Sequence, residues 1–192
     1  MTNFGIFLTA APEICLLVML CIVMIVDLFV TDKDRNITFT LVLAALLITV
    51  LSVFLSVPDS TYTLILDGSY RADSLSQILK LSAIGIVALG FYYSRDYLID
   101  NGLIKGEYFL LGMFGLLGML IMISANSLLI MYLGLETLAL SLYSLVAFDR
   151  NDANSAESAM KYFILGAIAS GSLLYGISWI YGVTGSLQFD LI

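Results

Sequence analysis

The chain has 192 residues, 60% hydrophobic and only 12% charged, with a net charge of −7 and no histidine. A soluble domain is about one-quarter charged, so half of that charge is missing, and without a basic cluster nucleic-acid binding has nothing to rest on. Apolar runs of about 18 or more residues recur along the chain, which predicts an all-α integral membrane protein.

The spans are predicted at roughly Ile6–Val30, Ile37–Val57, Leu75–Tyr93, Tyr108–Ser124, Ser127–Phe148 and Ala159–Tyr181. Each is long enough to cross a ~30 Å hydrocarbon core at 1.5 Å per residue. The first lysine or arginine is Lys33. The basic leader of a cleavable signal peptide is therefore absent, and the first span is read as a retained helix. Cys15 and Cys21 lie in that span, too far round the helix from each other for a disulfide or a metal pair. Glu13 follows Pro12 in the first turn, where an acid suits the positive end of the helix dipole. Asp27 is expected at the interface.

Between the second and third spans, Thr61 to Leu66 form a β-rich run followed by Asp67-Gly68, which predicts a short strand or hairpin at the membrane surface. Lys80 falls about five residues into the third span. A lysine at that depth can snorkel to the interface on its four-carbon stem or pair with a carboxylate. Snorkelling or a structural role is favoured, and a part in proton transfer is the lesser expectation. In the fourth span Gly112, Gly115 and Gly118 recur at helical spacing. In the sixth, Gly166 pairs with Ser170 and Ala167 with Gly171, giving small surfaces on which helices approach closely.

The fifth span carries Glu136, nine residues after Ser127 and hence about 13 Å deep, close to the bilayer centre. An acid there costs on the order of 3 kcal/mol on insertion scales. Membranes keep such a group when it faces a partner or a hydrated path, and the expected role is a proton-relay carboxylate. The plainer alternative is a hydrogen-bonded glutamate that joins helices. The sixth span opens on Asn154-Ser155-Ala156-Glu157, which reads as a capping box with Asn154 as N-cap. Glu157 also pairs favourably with Lys161 four residues on.

The loops give a direction. Lys33, Arg35, Arg95, Lys105, Arg150 and Lys161 fall on one side of the predicted spans, and the other side has only Arg71 as a loop cation. The positive-inside rule then puts the N-terminus on the outer side.

The segment Asn126 to Glu136, continued by Leu138 to Ala147, resembles the fifth helix of the antiporter-like subunits of respiratory complex I. Glu157-Ser158-Ala159-Met160-Lys161-Tyr162-Phe163-Ile164-Leu165-Gly166-Ala167 resembles the start of their sixth. Ala11-Pro12-Glu13-Ile14, Asp73 with Leu79-Lys80, and Gly106-Glu107-Tyr108-Phe109 bring the resemblance closest to the subunit N family, called subunit 2 in mitochondria. It covers nearly the whole chain.

The resemblance implies the N-terminal part of an antiporter-like helix bundle. Residues 1–107 would form a three-helix region and residues 108–192 the start of the proton-conducting domain. It implies a membrane-arm subunit of NADH:quinone oxidoreductase, partnered by other membrane-arm subunits and the lipid bilayer. NADH, FMN, iron–sulfur clusters and quinone would be used elsewhere in the complex, and no cofactor or metal is expected on this chain. Glu136 would act with a lysine of a seventh helix that lies beyond Ile192, with Lys80 and Lys161 as lesser candidates. The membrane implied is a bacterial plasma membrane ahead of a mitochondrial inner membrane. A subunit of a multisubunit cation/proton antiporter is the alternative, since it shares the fifth- and sixth-helix pattern.

Overall fold

A computed structural model describes residues 9–30, 35–56, 62–66 and 68–192. The expected spans appear as six helices: α1 Ala11–Asp27, α2 Arg35–Leu55, α3 Ser74–Asp100, α4 Gly106–Ile123, α5 Leu128–Val146 and α6 Ala153–Thr184. Five of them, α2 to α6, are long and apolar enough to cross a membrane, and α1 has 17 residues. The start of the first predicted span, Ile6 to Leu8, lies outside the described residues. Between α2 and α3 the expected hairpin is present. Strand β1, Tyr62–Ile65, pairs antiparallel with β2, Tyr70–Asp73, with Ile65 opposite Tyr70.

Helix α4 is the axis of the bundle. Its buried residues Phe109, Met113, Leu116 and Leu120 meet Leu16, Leu20 and Val23 of α1, Phe39 and Val42 of α2, and Ile84 and Phe91 of α3. The Phe109 ring lies 5.6 Å from Phe39 and 5.4 Å from Phe91. In lipid the outside of a helix is as apolar as its inside. These contacts hold the bundle by close packing and not by escape from water.

The small-residue stripe works as expected on α4. A Cβ on Gly118 would lie 2.6 Å from the Gly134 carbonyl oxygen and 2.6 Å from the Leu138 nitrogen, so the α4 and α5 backbones themselves touch. Ser141 Oγ completes the seam by donating to the Leu111 carbonyl at 2.6 Å. On α6 only half of the expectation holds. Gly166 makes room for the Tyr143 hydroxyl of α5 and Ser170 is buried, whereas Gly171 has open space around it. The Ala167–Gly171 pair points away from α5, the helix on which α6 packs here.

The start of α6 also differs from the expected capping box. The N-cap is Asp152, whose carboxylate accepts from the N–H groups of Asn154 at 3.2 Å and Ser155 at 3.1 Å. A charged acceptor at the positive end of a helix outcompetes the neutral Asn154 two residues later. Glu157 instead meets Lys161 at 2.5 Å, the pairing expected from their spacing.

At the hairpin end, Asn126 ties three segments together. Its N–H donates to the Ser69 carbonyl at 2.9 Å, and its side-chain amide donates to the Gly68 carbonyl and to Asp190, each at 2.9 Å. Leu128 N–H reaches back to the Leu187 carbonyl at 2.9 Å. The entry to α5 is thus fixed by both the hairpin and the C-terminal segment.

Candidate functional site

Two groups of polar side chains stand out inside the apolar bundle, and they differ in completeness. The first is a closed cluster near the hairpin end. Lys80 is 2% exposed, and its Nζ lies 2.7 Å from Glu13 Oε1 and donates to Tyr70 Oη at 3.0 Å. The Tyr70 hydroxyl in turn donates to Glu13 Oε2 at 2.9 Å, and Ser124 Oγ donates to Glu13 Oε1 at 3.3 Å. Four elements meet there: the first turn of α1, strand β2, the second turn of α3 and the C-cap of α4. Burial first, and then the adjacent Glu13 carboxylate, push the Tyr70 phenol well above its ordinary pKa of 10.0. It remains a proton donor at any physiological pH.

This cluster decides between the readings of Lys80 and adds to that of Glu13. Lys80 does not snorkel, because a carboxylate and a phenol satisfy its ammonium inside the bundle. Glu13 is more than a helix-dipole residue, because a buried cation faces it. Their meeting was foreseeable in part. In an up-and-down bundle α1 and α3 run parallel, so charges near the start of each lie at one level. Nothing in the local sequence marked Tyr70 as the third member.

Glu136 belongs to the second, open group. It lies eight residues after Leu128 and ten before Val146, midway along α5. At 100° per residue, Gly134, Leu138 and Ser141 share the face turned to α4, while Tyr132, Glu136 and Tyr143 share the opposite face. The α4 contacts of Gly134, Leu138 and Ser141 agree with that division. Glu136 is half-buried. The Tyr132 hydroxyl, one turn earlier, is close enough to interact with its carboxylate, and Tyr143 lies within electrostatic range of it.

Tyr143 also joins α5 to α6. Its ring lies 4.9 Å from Tyr162 and 5.6 Å from Phe163, perpendicular to both, and its hydroxyl rests on Gly166. Among the described residues no lysine or arginine forms an ion pair with Glu136, and Lys161 is spent on Glu157 at an exposed position. The sequence pointed to Glu136, but it gave no sign that two tyrosines share its face. Among the described residues there is no group of three or more His, Cys, Asp or Glu able to hold a metal ion.

A model of the family described as NADH:quinone oxidoreductase/Mrp antiporter, TM, matches residues 125–192. The NADH-quinone oxidoreductase subunit N of Alkalilimnicola ehrlichii is 52% identical over 183 residues, which is 95% of this chain and 37% of that protein. The subunit N of Thioalkalivibrio sulfidiphilus is 50% identical over 187 residues, 95% of this chain and 38% of that protein. Among solved structures, a chain of respiratory complex I from Thermus thermophilus with bound aureothin superimposes with a TM-score of 0.73 at 28% identity, covering 92% of this chain and 38% of its own. A chain of the archaeal membrane-bound sulfane sulfur reductase shares the fold, with a TM-score of 0.68 at 21% identity. This chain therefore spans under two-fifths of the length of the curated relatives it matches.

Proposed function

We propose that the chain belongs to the NADH-quinone oxidoreductase subunit N family, over the part of those proteins that it spans, and that it forms part of a proton-translocating membrane-arm subunit. In this reading its partners are the other membrane-arm subunits, and electron transfer from NADH to quinone takes place elsewhere in the complex. The alternative of a cation/proton antiporter subunit is disfavoured by the names of these relatives. Residues 108–192 would begin the proton-conducting domain, and the N-terminus would face the outer side of a bacterial plasma membrane. The bias of six cations against Arg71 supports that direction.

The observation that carries the reading is the position of Glu136. A carboxylate at mid-helix, turned from the tight α4 seam toward a face lined by tyrosine hydroxyls, can exchange a proton where a lipid-facing acid could not be tolerated. A basic group brought to that face would hold it ionised, and withdrawal of that group would return its proton. Lys161, engaged by Glu157, and Lys80, engaged by Glu13, are lesser candidates for a part in proton transfer.

The test is Glu136→Gln in the full-length subunit. The variant should assemble but lose proton pumping, and the NADH oxidation coupled to it, on the order of tenfold or more. Wild-type pumping by an assembled Glu136→Gln enzyme would refute the assignment.

A further inference from the structure

Where the chain leaves α5 and enters α6, the two helices enclose a cavity of about 390 Å³. Ala147 and Ala156 line it at the end nearest the connecting loop, and Tyr143 and Phe163, the residues set furthest into their helices, line the other. Beyond Tyr143 lies Glu136. At 100° per residue, Ala139, Leu140, Tyr143 and the C-cap Ala147 follow Glu136 on its face of α5. Of these described residues only Tyr143 bears a polar group. The neighbouring hydroxyl, Ser144, is turned aside and donates to the Leu140 carbonyl at 3.0 Å. Side chains on a helix lean toward its N-terminus, so the Tyr143 phenol leans from the cavity back toward Glu136. Its orientation is fixed by α6. The Tyr162 and Phe163 rings meet it at 87° and 90°, and its hydroxyl end fills the notch left by Gly166.

We propose that the Tyr143 hydroxyl is the group through which Glu136 takes up its proton from the side of the α5–α6 connection. The proposal rests on the relay reading of Glu136 and adds the route by which its proton arrives. A hydronium in the cavity gives a proton to Tyr143 Oη, and the phenol's own proton passes across an intervening water to the Glu136 carboxylate. Every O–H bond broken in this chain is replaced by one that forms. The tyrosine ends unchanged, the hydronium has become water, and the carboxylate has become a carboxylic acid. A phenol serves this purpose because its oxygen both donates and accepts. The side chains around it on this face are hydrocarbon, which has no lone pair to receive a proton. The locked ring keeps the hydroxyl between the cavity and the carboxylate, which lies within electrostatic range of it.

The test uses the full-length subunit in its assembled complex, in membrane vesicles energised with NADH, with proton pumping followed over a series of pH values. Tyr143→Phe keeps the ring and its aromatic contacts and removes only the hydroxyl. Pumping should fall at least about tenfold at neutral pH. A second variant carries a ring-fluorinated tyrosine in place of Tyr143, which preserves the packing and makes the phenol more acidic. Because an ionised phenol has no proton to pass on, the alkaline limb of the pumping profile should move to lower pH. A merely structural tyrosine would leave that limb where it is. Parental pumping by Tyr143→Phe beside an inactive Glu136→Gln would overturn this route and leave the relay reading standing. Parental pumping by both variants would remove the relay as well. An alkaline limb unmoved by fluorination would also overturn the route, whether or not Tyr143→Phe assembles.

Discussion

Replacing Lys80 by methionine keeps most of the side chain's length and removes its charge, which isolates the electrostatic part of the buried cluster. At 2.7 Å and an effective dielectric constant of about 20, the attraction between Lys80 and Glu13 is about 6 kcal/mol. Bringing each ion out of water costs several kcal/mol, so the pair as a whole is close to break-even. Removing one partner is different. Lys80→Met leaves the Glu13 carboxylate buried, with only the Tyr70 and Ser124 hydroxyls as donors. The expected loss is about 3–5 kcal/mol. Glu13→Gln alone strands the Lys80 ammonium and should cost a similar amount.

The double variant Glu13→Gln, Lys80→Met carries no buried charge and should return to within about 1–2 kcal/mol of the parent protein. The assay is unfolding in mixed lipid–detergent micelles titrated with dodecyl sulfate, following the helical signal for all four proteins. A double variant damaged by the sum of the single losses would show that the two side chains do not act together, and the account of the cluster would fail. A Lys80→Met protein as stable as the parent would restore the snorkelling reading of this residue.

Tyr70→Phe should cost about 1–3 kcal/mol at neutral pH, because Glu13 loses a buried donor. The folded-state pKa of Tyr70 lies above its unfolded value of 10.0. Its contribution to stability is therefore complete below pH 10 and declines as the pH rises above that, since only the unfolded chain releases the proton. Alkaline titration of stability should show that decline in the parent protein and less of it in Tyr70→Phe. Gly118→Ala places a methyl group against the α5 backbone, which cannot yield as a side chain can. The loss should be at least the 1–3 kcal/mol of ordinary overpacking, with cysteines introduced on facing positions of α4 and α5 cross-linking more slowly. Asn126→Ala removes two side-chain hydrogen bonds at the entry to α5 and should cost about 1–3 kcal/mol. Protease cleavage within the hairpin or the Leu187–Leu191 segment would then become faster.

Glu136 and the buried cluster differ in how far the sequence exposed them. Glu136 announced itself because one acid in a long apolar run violates the composition of its surroundings, and that violation is local. Lys80 and Glu13 are each explicable by their own neighbours, as a snorkelling lysine and a dipole-compensating acid. Only their closeness in space shows that each is the other's partner. The same holds at the start of α6. Asn154 and Glu157 fit a capping box by spacing, yet the competing carboxylate of Asp152 takes the N–H groups.

By itself the sequence determined six apolar helices, a hairpin between the second and third, and a carboxylate halfway along the fifth. Hydropathy, helical period and turn chemistry act within a few residues of chain, and a bilayer accepts few other ways to satisfy a backbone. Tertiary structure decided which helix is the axis, which small residues meet a backbone and which meet nothing, and which charges are paired. Those outcomes depend on separations across the bundle, where residues 57 to 111 positions apart, such as Glu13 with Tyr70 and Ser124, come within hydrogen-bond reach.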